Sequence, residues 1–256
     1  MASGPATLAI DIGGTGLKAS VLDPVGAMMA DRVRVLTTYP MDPEKLVKDL
    51  VGLVKPLPPF DRVSVGFPGV VRNGRVLTAP HFVEVAGPGS MKSPELERLW
   101  SGFDLAGTLA EVLGRPTKAV NDADLQGAAV VSGAGLELVV TLGTGVGTGL
   151  YQDGELAPHL EISHHPFRKN ETYDEQLGDA TRKRVGNKKW NRRVKLAIDT
   201  LYNLVLYDHL YVGGGNSRHL DFDLGPTGTV IDNTAGILGG IKLWATAAPT
   251  VAVAKA

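Results

Sequence analysis

Two glycine-rich turns, each set between apolar runs, constrain the fold of this 256-residue chain more than any other feature. The first is DIGGTG at residues 11–16, and the second is LGTGVGTG at residues 142–149. An apolar run, a glycine turn and a second apolar run are typical of a β-hairpin whose turn depends on glycine. The repeat predicts two similar units, with a cleft between them if the two turns face each other.

Strand and helix patterns alternate along the chain, which predicts an α/β protein. Apolar spacing indicates a helix at about residues 43–54, followed by a buried strand in DRVSVGF. One or two short helices then end at Gly114, and a strand leads into a helix that we expect Asp122 or Asp124 to cap. A second unit begins after Pro116, so the predicted domains are residues 1–117 and 118–256.

The C-terminal half contains one long amphipathic helix, predicted over residues 189–207. Its apolar face is predicted to consist of Val194, Ile198, Leu201, Leu204 and Val205. The strand HLYVGGG follows, and IDNTAG at residues 231–236 opens a last helix through Trp244. We expect that helix to pack back on the first domain, and the tail beyond it to be loose.

Composition excludes several classes of protein. The chain has no cysteine, so disulfides and thiolate metal sites are excluded. Its net charge of −1 gives no general reason to expect nucleic-acid binding. The N-terminus lacks the pattern of a signal peptide, and no apolar stretch approaches the ~18 residues of a membrane span. A cytoplasmic protein is expected.

The glycine turns are candidate phosphate sites, although familiar phosphate motifs are absent. No GK dipeptide occurs, which excludes a Walker loop, and Thr148 replaces the third glycine of G-x-G-x-x-G. Backbone N–H groups in such turns can still converge on an anion, and a carboxylate beside them can hold Mg²⁺. The alternative is a pair of ordinary hairpin turns. The predicted phosphate-binding residues are Asp11 (also the Mg²⁺ candidate), Gly13, Gly14, Thr15, Lys18, Thr144, Gly145 and Gly147.

Six motifs in order resemble the ROK family of sugar kinases between about Leu8 and Leu243. They are DIGGTG, GFPGVV, NDAD, LGTGVGTG, E-x-S-H and VGGG. The resemblance implies a two-domain, actin-like (ribonuclease H-like) fold in which a sugar and a phosphoryl donor meet in the interdomain cleft. It also implies Mg²⁺ as a cofactor and commonly a homodimer. The family includes sugar-sensing repressors, but only ten residues precede Asp11, which leaves no room for a helix-turn-helix.

The matched motifs assign roles by resemblance. Asp122 corresponds to the catalytic base and is also one of the sugar-binding residues. The other members of the sugar-binding group are Asn121, Gly69, Glu161 and His164. The alternative for Asn121 and Asp122 is a helix N-cap. Ser163 stands where glycine is usual, and His165 is interpreted as a neighbour of the site.

One expected feature of many relatives is missing: the cysteine-rich zinc loop and the sugar-binding glutamate that follows it. TYDEQLG looks like the stretch after that loop, which would make Glu175 the sugar ligand. The alternative is a plain surface carboxylate. No zinc site is expected. Glucose is the expected sugar, and acceptance of mannose or glucosamine is predicted because Ser163, Pro166 and the segment 79–87 lie where relatives contact the sugar.

Residues 168–195, the basic stretch, contain ten Lys or Arg and four acids. Such a stretch is usually a solvated helix face, but a one-signed track also suits a polyanion. The zinc-free form of the family with a basic helix is similar to polyphosphate glucokinases. The candidate donor-binding residues, for polyphosphate or nucleotide, are Arg168, Lys169, Lys188, Lys189, Gly214 and Gly215. A strictly ATP-dependent kinase and a non-catalytic sugar-binding protein stay open as alternatives. Trp190 is interpreted as an anchor of the helix.

Overall fold

The structure is a computed structural model that describes residues 4–231 and 235–244. The first half of the chain contains β1 (Thr7–Gly13), β2 (Gly16–Leu22), β3 (Val33–Leu36), α1 (Pro43–Val54), β4 (Arg62–Phe67), β5 (Val71–Arg72), β6 (Arg75–Val76), α2 (Pro94–Trp100), α3 (Leu105–Leu113) and β7 (Thr117–Asn121). The predicted helix at residues 43–54 is confirmed. Asp42 caps it, and Gly114 ends α3 in the left-handed conformation.

The second half begins with a helix and ends with one. It contains α4 (Asp122–Ala128), β8 (Leu136–Leu142), β9 (Val146–Gln152), β10 (Glu155–Leu156), β11 (Pro166–Arg168), β12 (Glu171–Thr172), α5 (Tyr173–Leu177), α6 (Asp179–Val185), α7 (Asn187–Val205), β13 (His209–Gly213), a short 3-10 helix (Ser217–His219), β14 (Gly228–Val230) and α8 (Ala235–Lys242).

Both predicted glycine hairpins are confirmed, and each is built into its own five-stranded sheet. The strand order is β3-β2-β1-β4-β7 in the first sheet and β10-β9-β8-β13-β14 in the second. In each sheet an antiparallel hairpin is extended by parallel strands: β1 pairs with β4 and β4 with β7, while β8 pairs with β13 and β13 with β14. The glycine turns and the carboxyl ends of these parallel strands therefore lie at the same edge of each sheet.

The strand β7 bears on the predicted domain division. It pairs with β4 from Thr117 to Asn121, so a boundary between residues 117 and 118 would divide a strand of the first sheet. The chain passes from the first sheet to the second through α4. The division at that boundary stays a prediction.

Among the described residues, two large apolar cores and a third, smaller one support the sheets. In the first, the rings of Phe67, Phe82 and Trp100 pack together with centroids 5.3–5.6 Å apart. In the second, Trp190 is fully buried and its indole N–H donates to the carbonyl oxygen of Leu177 at 2.7 Å, so it anchors α7 as predicted.

The apolar face of α7 is smaller than predicted. Val194 and Leu201 are buried, whereas Leu204 is 65% exposed. Ile198 and Val205 pack partly buried against the core. At 3.6 residues per turn, Leu204 is rotated away from the line through these four residues and faces solvent.

The last helix, α8, contacts β1 and β4 of the first sheet as well as α4. The Ser64 hydroxyl donates to the Gly240 carbonyl at 2.6 Å and accepts from the Trp244 indole at 2.8 Å. The predicted start of this helix at residues 232–234 and the tail beyond residue 244 lie outside the described residues. No helix in the described ranges is long and apolar enough to cross a membrane.

Candidate active site

An open cavity of about 320 Å³ collects predicted residues from distant parts of the chain. Both glycine turns, the start of α4 and the segment before β11 line it. The predicted residues on its wall are Asp11, Gly13, Gly14, Thr15, Lys18, Gly69, Asn121, Asp122, Thr144, Gly145, Gly147, Glu161, His164, Gly214 and Gly215. His81, between Pro80 and Phe82 in the segment that we associated with sugar contact, also lines the cavity.

Asn121, rather than either aspartate, caps α4. Its side-chain oxygen accepts from the Ala123 amide at 2.8 Å, and its Nδ2 donates to the Gly69 carbonyl at 3.0 Å. The prediction that Asp122 or Asp124 caps the helix was wrong, because Asn121 already occupies the cap and Asp124 turns into the interior. With the cap supplied by Asn121, the carboxylate of Asp122 lines the cavity.

Two glycines of β9 let α4 approach this closely. A Cβ on Gly147 would lie 2.9 Å from the Ala123 side chain, and one on Gly149 would lie 3.2 Å from the Ala123 carbonyl and the Asp124 carboxylate. The glycines of LGTGVGTG therefore do more than form a turn. They bring the start of α4 against the second sheet.

Asp122 is an acid adapted to titrate near neutrality. Burial, followed by the charge of Asp11, raises its pKa to about 7, although the hydrogen bond from the Ala123 amide opposes this shift. Among the described residues, that amide is the one hydrogen-bond donor to its carboxylate, at 2.9 Å. A carboxylate with a pKa near the working pH is suited to act as a general base.

Behind Asp122 lies a buried chain of ionisable groups that the sequence analysis missed. The Nδ1 of His159 lies 3.0 Å from the Asp124 carboxylate, and its Nε2 lies 3.6 Å from the Glu161 carboxylate. The His159 and Asp124 side chains are only 4% and 2% exposed. The signal in the sequence was an acid two residues after Asp122 and a histidine two residues before Glu161.

Within this group of buried residues, each charged side chain shifts the pKa of its neighbours. Burial alone would lower the pKa of His159, but its contacts with Asp124 and Glu161 raise it to about 9. Burial alone would raise the pKa of Glu161, but contacts with His159 and Ser163 lower it to about 2. The imidazole thus lies between two acids, and burial raises the pKa of one of them, Asp124.

Ser163, which replaces the usual glycine, fixes the other side of Glu161. Its amide donates to Glu161 Oε1 at 2.8 Å, and its hydroxyl donates to the same oxygen. His164, the next residue, is exposed on the cavity wall, whereas His165 is exposed beside Pro166 and does not line the cavity. Glu161 and His164 therefore present two polar groups to the cavity.

Glu175 does not reach the cavity, contrary to the prediction. It is exposed, and with Thr172 it forms the capping box of α5, where its carboxylate accepts from the Thr172 amide at 2.7 Å. Its neighbour Asp174 lines the cavity instead and accepts from the Val146 amide at 2.6 Å. Burial raises the pKa of Asp174. The acid that the sequence predicted at this wall is therefore present one residue earlier.

The two glycine turns are held in different ways. On the first, the Thr37 hydroxyl donates to the Gly13 carbonyl and the Tyr39 hydroxyl to the Gly14 carbonyl, both at 2.7 Å. On the second, the Val146 amide is engaged by Asp174, and the Gly143 carbonyl accepts from the Asp179 amide at 3.0 Å. The first turn keeps Lys18 beside Asp11 at 2.8 Å, so a cation and an acid flank its glycines.

The VGGGN segment lies against the second turn. Gly214 has a φ of +84°, and a Cβ there would lie 2.3 Å from the Leu142 carbonyl, so only glycine fits. Asn216 donates to the Gly143 carbonyl at 2.9 Å and accepts from Arg182 at 3.1 Å. Arg182 of the basic stretch is thus connected to the second turn through Asn216.

The other predicted donor-binding cations lie away from the cavity wall. Arg168, Lys169, Lys188 and Lys189 are not among its lining residues. Arg168, Arg184 and Arg193, here called the arginine cluster, come from three different elements. Burial and the charges of the other two arginines lower the pKa of Arg193, and Arg168 and Arg193 both donate to Gln176.

Metal-binding capacity rests on Asp11. The described residues contain no group of three or more His, Asp or Glu side chains placed to hold a metal ion. Mg²⁺ in kinases is commonly held by one or two carboxylates together with substrate phosphates and water. A single carboxylate between the glycine turn and Lys18 fits that mode of binding.

Known proteins resemble the chain in sequence and in fold. Over 246 residues it is 28% identical to a polyphosphate glucokinase from Mycobacterium tuberculosis, spanning 90% of this chain and 88% of that protein. A crystal structure of an inorganic polyphosphate/ATP-glucomannokinase from Arthrobacter sp. strain KM superimposes with a TM-score of 0.76 at 26% identity, over 94% of this chain and 99% of that one. A ROK family glucokinase from Streptomyces griseus, crystallised with glucose and AMPPNP, shares the fold with a TM-score of 0.66 at 18% identity, over 93% and 98%.

Two sheets on either side of one polar cavity, together with these neighbours, define an actin-like α/β protein. The model of the ROK family matches residues 7–159, more than half of the chain. The chain belongs to the ROK family.

Proposed function

We propose that this protein is a sugar kinase that transfers a phosphoryl group from inorganic polyphosphate to the 6-hydroxyl of glucose, with Asp122 as the general base. The observation that carries the proposal is the placement of Asp122. Its carboxylate, with a pKa of about 7, lies on the same cavity wall as two glycine turns and the polar group of Glu161 and His164. The names of the relatives from M. tuberculosis and Arthrobacter support polyphosphate as donor and a hexose as acceptor.

In the proposed reaction the sugar lies against Asn121, Glu161, His164 and Asp174. Asp122 accepts the proton of the sugar 6-hydroxyl while that oxygen forms a bond to the terminal phosphorus of the donor. The bond between that phosphorus and its bridging oxygen breaks, and the shortened donor leaves with the electron pair. Positioning and charge stabilisation supply most of the catalysis in such transfers.

The residues on the donor side are the two glycine turns, Lys18 and Asp11. Lys18 would pair with phosphate oxygens, and amide groups of the turns would donate to them. Mg²⁺, held by Asp11, would neutralise charge that develops on the phosphates during transfer.

The donor is proposed to be polyphosphate because the chain offers cations outside the cavity for a ligand longer than a nucleotide. In the arginine cluster the charges of Arg168 and Arg184 oppose that of Arg193, and a bound anion would relieve this repulsion. A bound polyanion releases counterions, so its affinity falls steeply with salt.

An ATP-dependent glucokinase is the second candidate, favoured by Gly214 and Gly215 on the cavity wall. ATP would then occupy the same turns, and the arginine cluster would have no role in the reaction. The Arthrobacter neighbour, named for both donors, makes use of both a third outcome of the test.

The test is formation of glucose 6-phosphate by the purified protein with glucose and Mg²⁺, comparing polyphosphate with ATP at equal phosphoryl concentration. Product from polyphosphate supports the first candidate, and product from ATP alone supports the second. No product from either donor with glucose, mannose or glucosamine overturns the kinase proposal.

The arginine cluster provides a sharper test of the donor. Arg168→Ala with Arg184→Ala should raise the KM for polyphosphate several-fold and flatten its salt dependence, while the KM for glucose stays unchanged. A matched control is Lys48→Ala with Lys55→Ala, which removes two exposed cations from the region of α1. Equal effects of the two double variants would show that net charge, rather than the cluster, attracts the donor.

A further inference from the structure

The buried imidazole of His159 has one satisfied nitrogen and one unsatisfied nitrogen. Nδ1 is 3.0 Å from an Asp124 carboxylate oxygen, within hydrogen-bond distance. Nε2 is buried, has no hydrogen-bond partner among the described residues, and lies 3.6 Å from Glu161 Oε2. That distance is too long for a hydrogen bond, and a buried polar atom without a partner is costly. The network therefore leaves two buried atoms without a partner among the described residues, His159 Nε2 and Asp124 Oδ1.

The surroundings keep this imidazole in place. Asp124 is fixed by α4, whose close approach to β9 depends on Gly147 and Gly149. The segment that contains His159 is tied to β9 by the Thr148 hydroxyl, which donates to the Leu160 carbonyl. The position of His159 is thus set by two neighbouring elements, and the remaining freedom belongs to Glu161.

Glu161 has one carboxylate oxygen fixed and one still free to bind. Oε1 accepts from both the amide and the hydroxyl of Ser163. Oε2 faces His159 Nε2 on one side, and the residue lines the cavity. A carboxylate has about four acceptor positions, so Oε2 can accept from Nε2 and from a ligand hydroxyl together.

We propose that His159 is a positioning residue for the sugar: held by Asp124, it completes a hydrogen bond to Glu161 when sugar binds, and so fixes the carboxylate that accepts from the sugar hydroxyl. This inference rests on the proposed function, because it takes the sugar to bind at Glu161. The closure needs a movement of only a few tenths of an ångström to bring Nε2 within ordinary hydrogen-bond distance.

The protonation state agrees with this role. Contacts with Asp124 and Glu161 raise the pKa of His159 to about 9, although burial opposes the shift, so both ring nitrogens carry a proton at neutral pH. Both can then donate to carboxylates at once. The two acids that face the ring are Asp124 on α4 and Glu161 on its own segment.

The test is a double-mutant cycle in glucose affinity, measured by calorimetry without a donor so that it does not depend on catalysis. His159→Ala should weaken glucose binding about tenfold with Glu161 present, but less than twofold in the Glu161→Gln background, because neighbouring side chains couple. In steady state the loss should fall mainly on the KM for glucose, with kcat and the KM for the donor changing less than threefold.

His159→Gln is the conservative variant, since an amide can still donate to a carboxylate, and it should recover part of the affinity. It also serves if the alanine variant fails to fold, and melting temperatures of all variants separate loss of fold from loss of positioning.

Equal losses on removing His159 in both backgrounds would overturn the inference while leaving the kinase proposal intact. A Glu161→Gln variant that binds glucose as well as the wild type would also overturn the inference alone, whereas a wild-type chain that binds none of glucose, mannose and glucosamine would overturn both.

Discussion

The acidic wall of the cavity (Asp122, Glu161 and Asp174, with Asp124 buried behind them) and the basic stretch are both dense in charge, but their charged groups differ in burial and in pairing. The acids are partly or fully buried, and burial or neighbouring groups displace the pKa of each of them. Lys183, Lys188, Lys189 and Arg192 in the basic stretch are exposed. Asp179 forms ion pairs with Arg182 and Lys183 at 2.8 and 2.6 Å.

This contrast shows that charged residues adjacent in the sequence do not by themselves form a site in which charges interact strongly. The basic stretch is conspicuous because its residues are adjacent in sequence, yet solvent screens most of them. The acids of the wall are dispersed between residues 122 and 174 of the sequence, and contacts of their segments with β9 bring them together. Desolvation then gives each acid a distinct chemical character.

The substitution expected to have the largest effect is Asp122→Asn, which tests whether the acidic wall, rather than the basic stretch, performs the chemistry. If the acidic wall holds the proposed base, kcat should fall by about 10²–10⁴-fold, with a small change in the KM for glucose. The matched comparison is Lys188→Gln on the basic stretch, which should change kcat less than twofold. If the Asp122→Asn variant keeps the wild-type kcat, Asp122 is not the general base.

The next largest effect concerns the neighbouring acids Asp174 and Glu175. Asp174→Asn should lower kcat/KM for glucose by about tenfold, because it removes a charge from the cavity. The asparagine oxygen can still accept from the Val146 amide, so the second turn keeps this hydrogen bond. Glu175→Gln should stay within twofold of wild type, since glutamine can also complete a capping box. The reverse order would restore Glu175 as the sugar ligand.

The raised pKa of Asp122 predicts a pH dependence of moderate size. Protonation removes the base, so kcat/KM should fall as the pH drops through about 7, rather than near the ordinary value of 3.8. A profile that stays flat down to pH 5 would contradict this assignment.

The same shift predicts a trend in stability. Because folding raises the pKa of Asp122, its contribution to stability is present below 3.8 and is lost as the pH rises through about 7. Relative to wild type, Asp122→Asn should therefore gain melting temperature at pH 8 compared with pH 4. No difference between the two pH values would mean that the folded and unfolded chains titrate alike at this residue.

The smallest expected effect belongs to the cap of α5. Thr172→Ala removes the N-cap bond to the Glu175 amide and should cost about 1 kcal/mol of unfolding free energy, with kcat nearly unchanged. Chemical denaturation measures the loss. A large fall in kcat would mean that α5 depends on its cap to keep Asp174 at the cavity.

Local patterns made much of the fold predictable. The two hairpins and α1 follow from apolar runs, glycine turns and helical spacing within single segments. The prediction that Leu204 belongs to the apolar face of α7 was wrong because helical rotation turns this residue away from the other four and toward solvent.

Site residues that belong to a short sequence motif were predictable. Contacts between residues of two different elements were not. Asp122, Glu161 and His164 stand in short motifs and line the cavity. The pairing of Asp124 with His159 joins residues 35 positions apart and depends on glycines of a third element. Choosing between Asp174 and Glu175 requires the rotation of a short helix, since one residue changes the direction of a side chain by about 100°.

The contact of α8 with the first sheet bears on the order in which the protein can fold during synthesis. Ser64 and Gly240 are joined by a hydrogen bond although they are 176 positions apart in the sequence. A ribosome adding about 5–20 residues per second needs roughly 10–35 s to make that interval. For this time β1 and β4 are complete but lack the cover that α8 provides, so this part of the nascent first sheet stays exposed until α8 emerges from the ribosome.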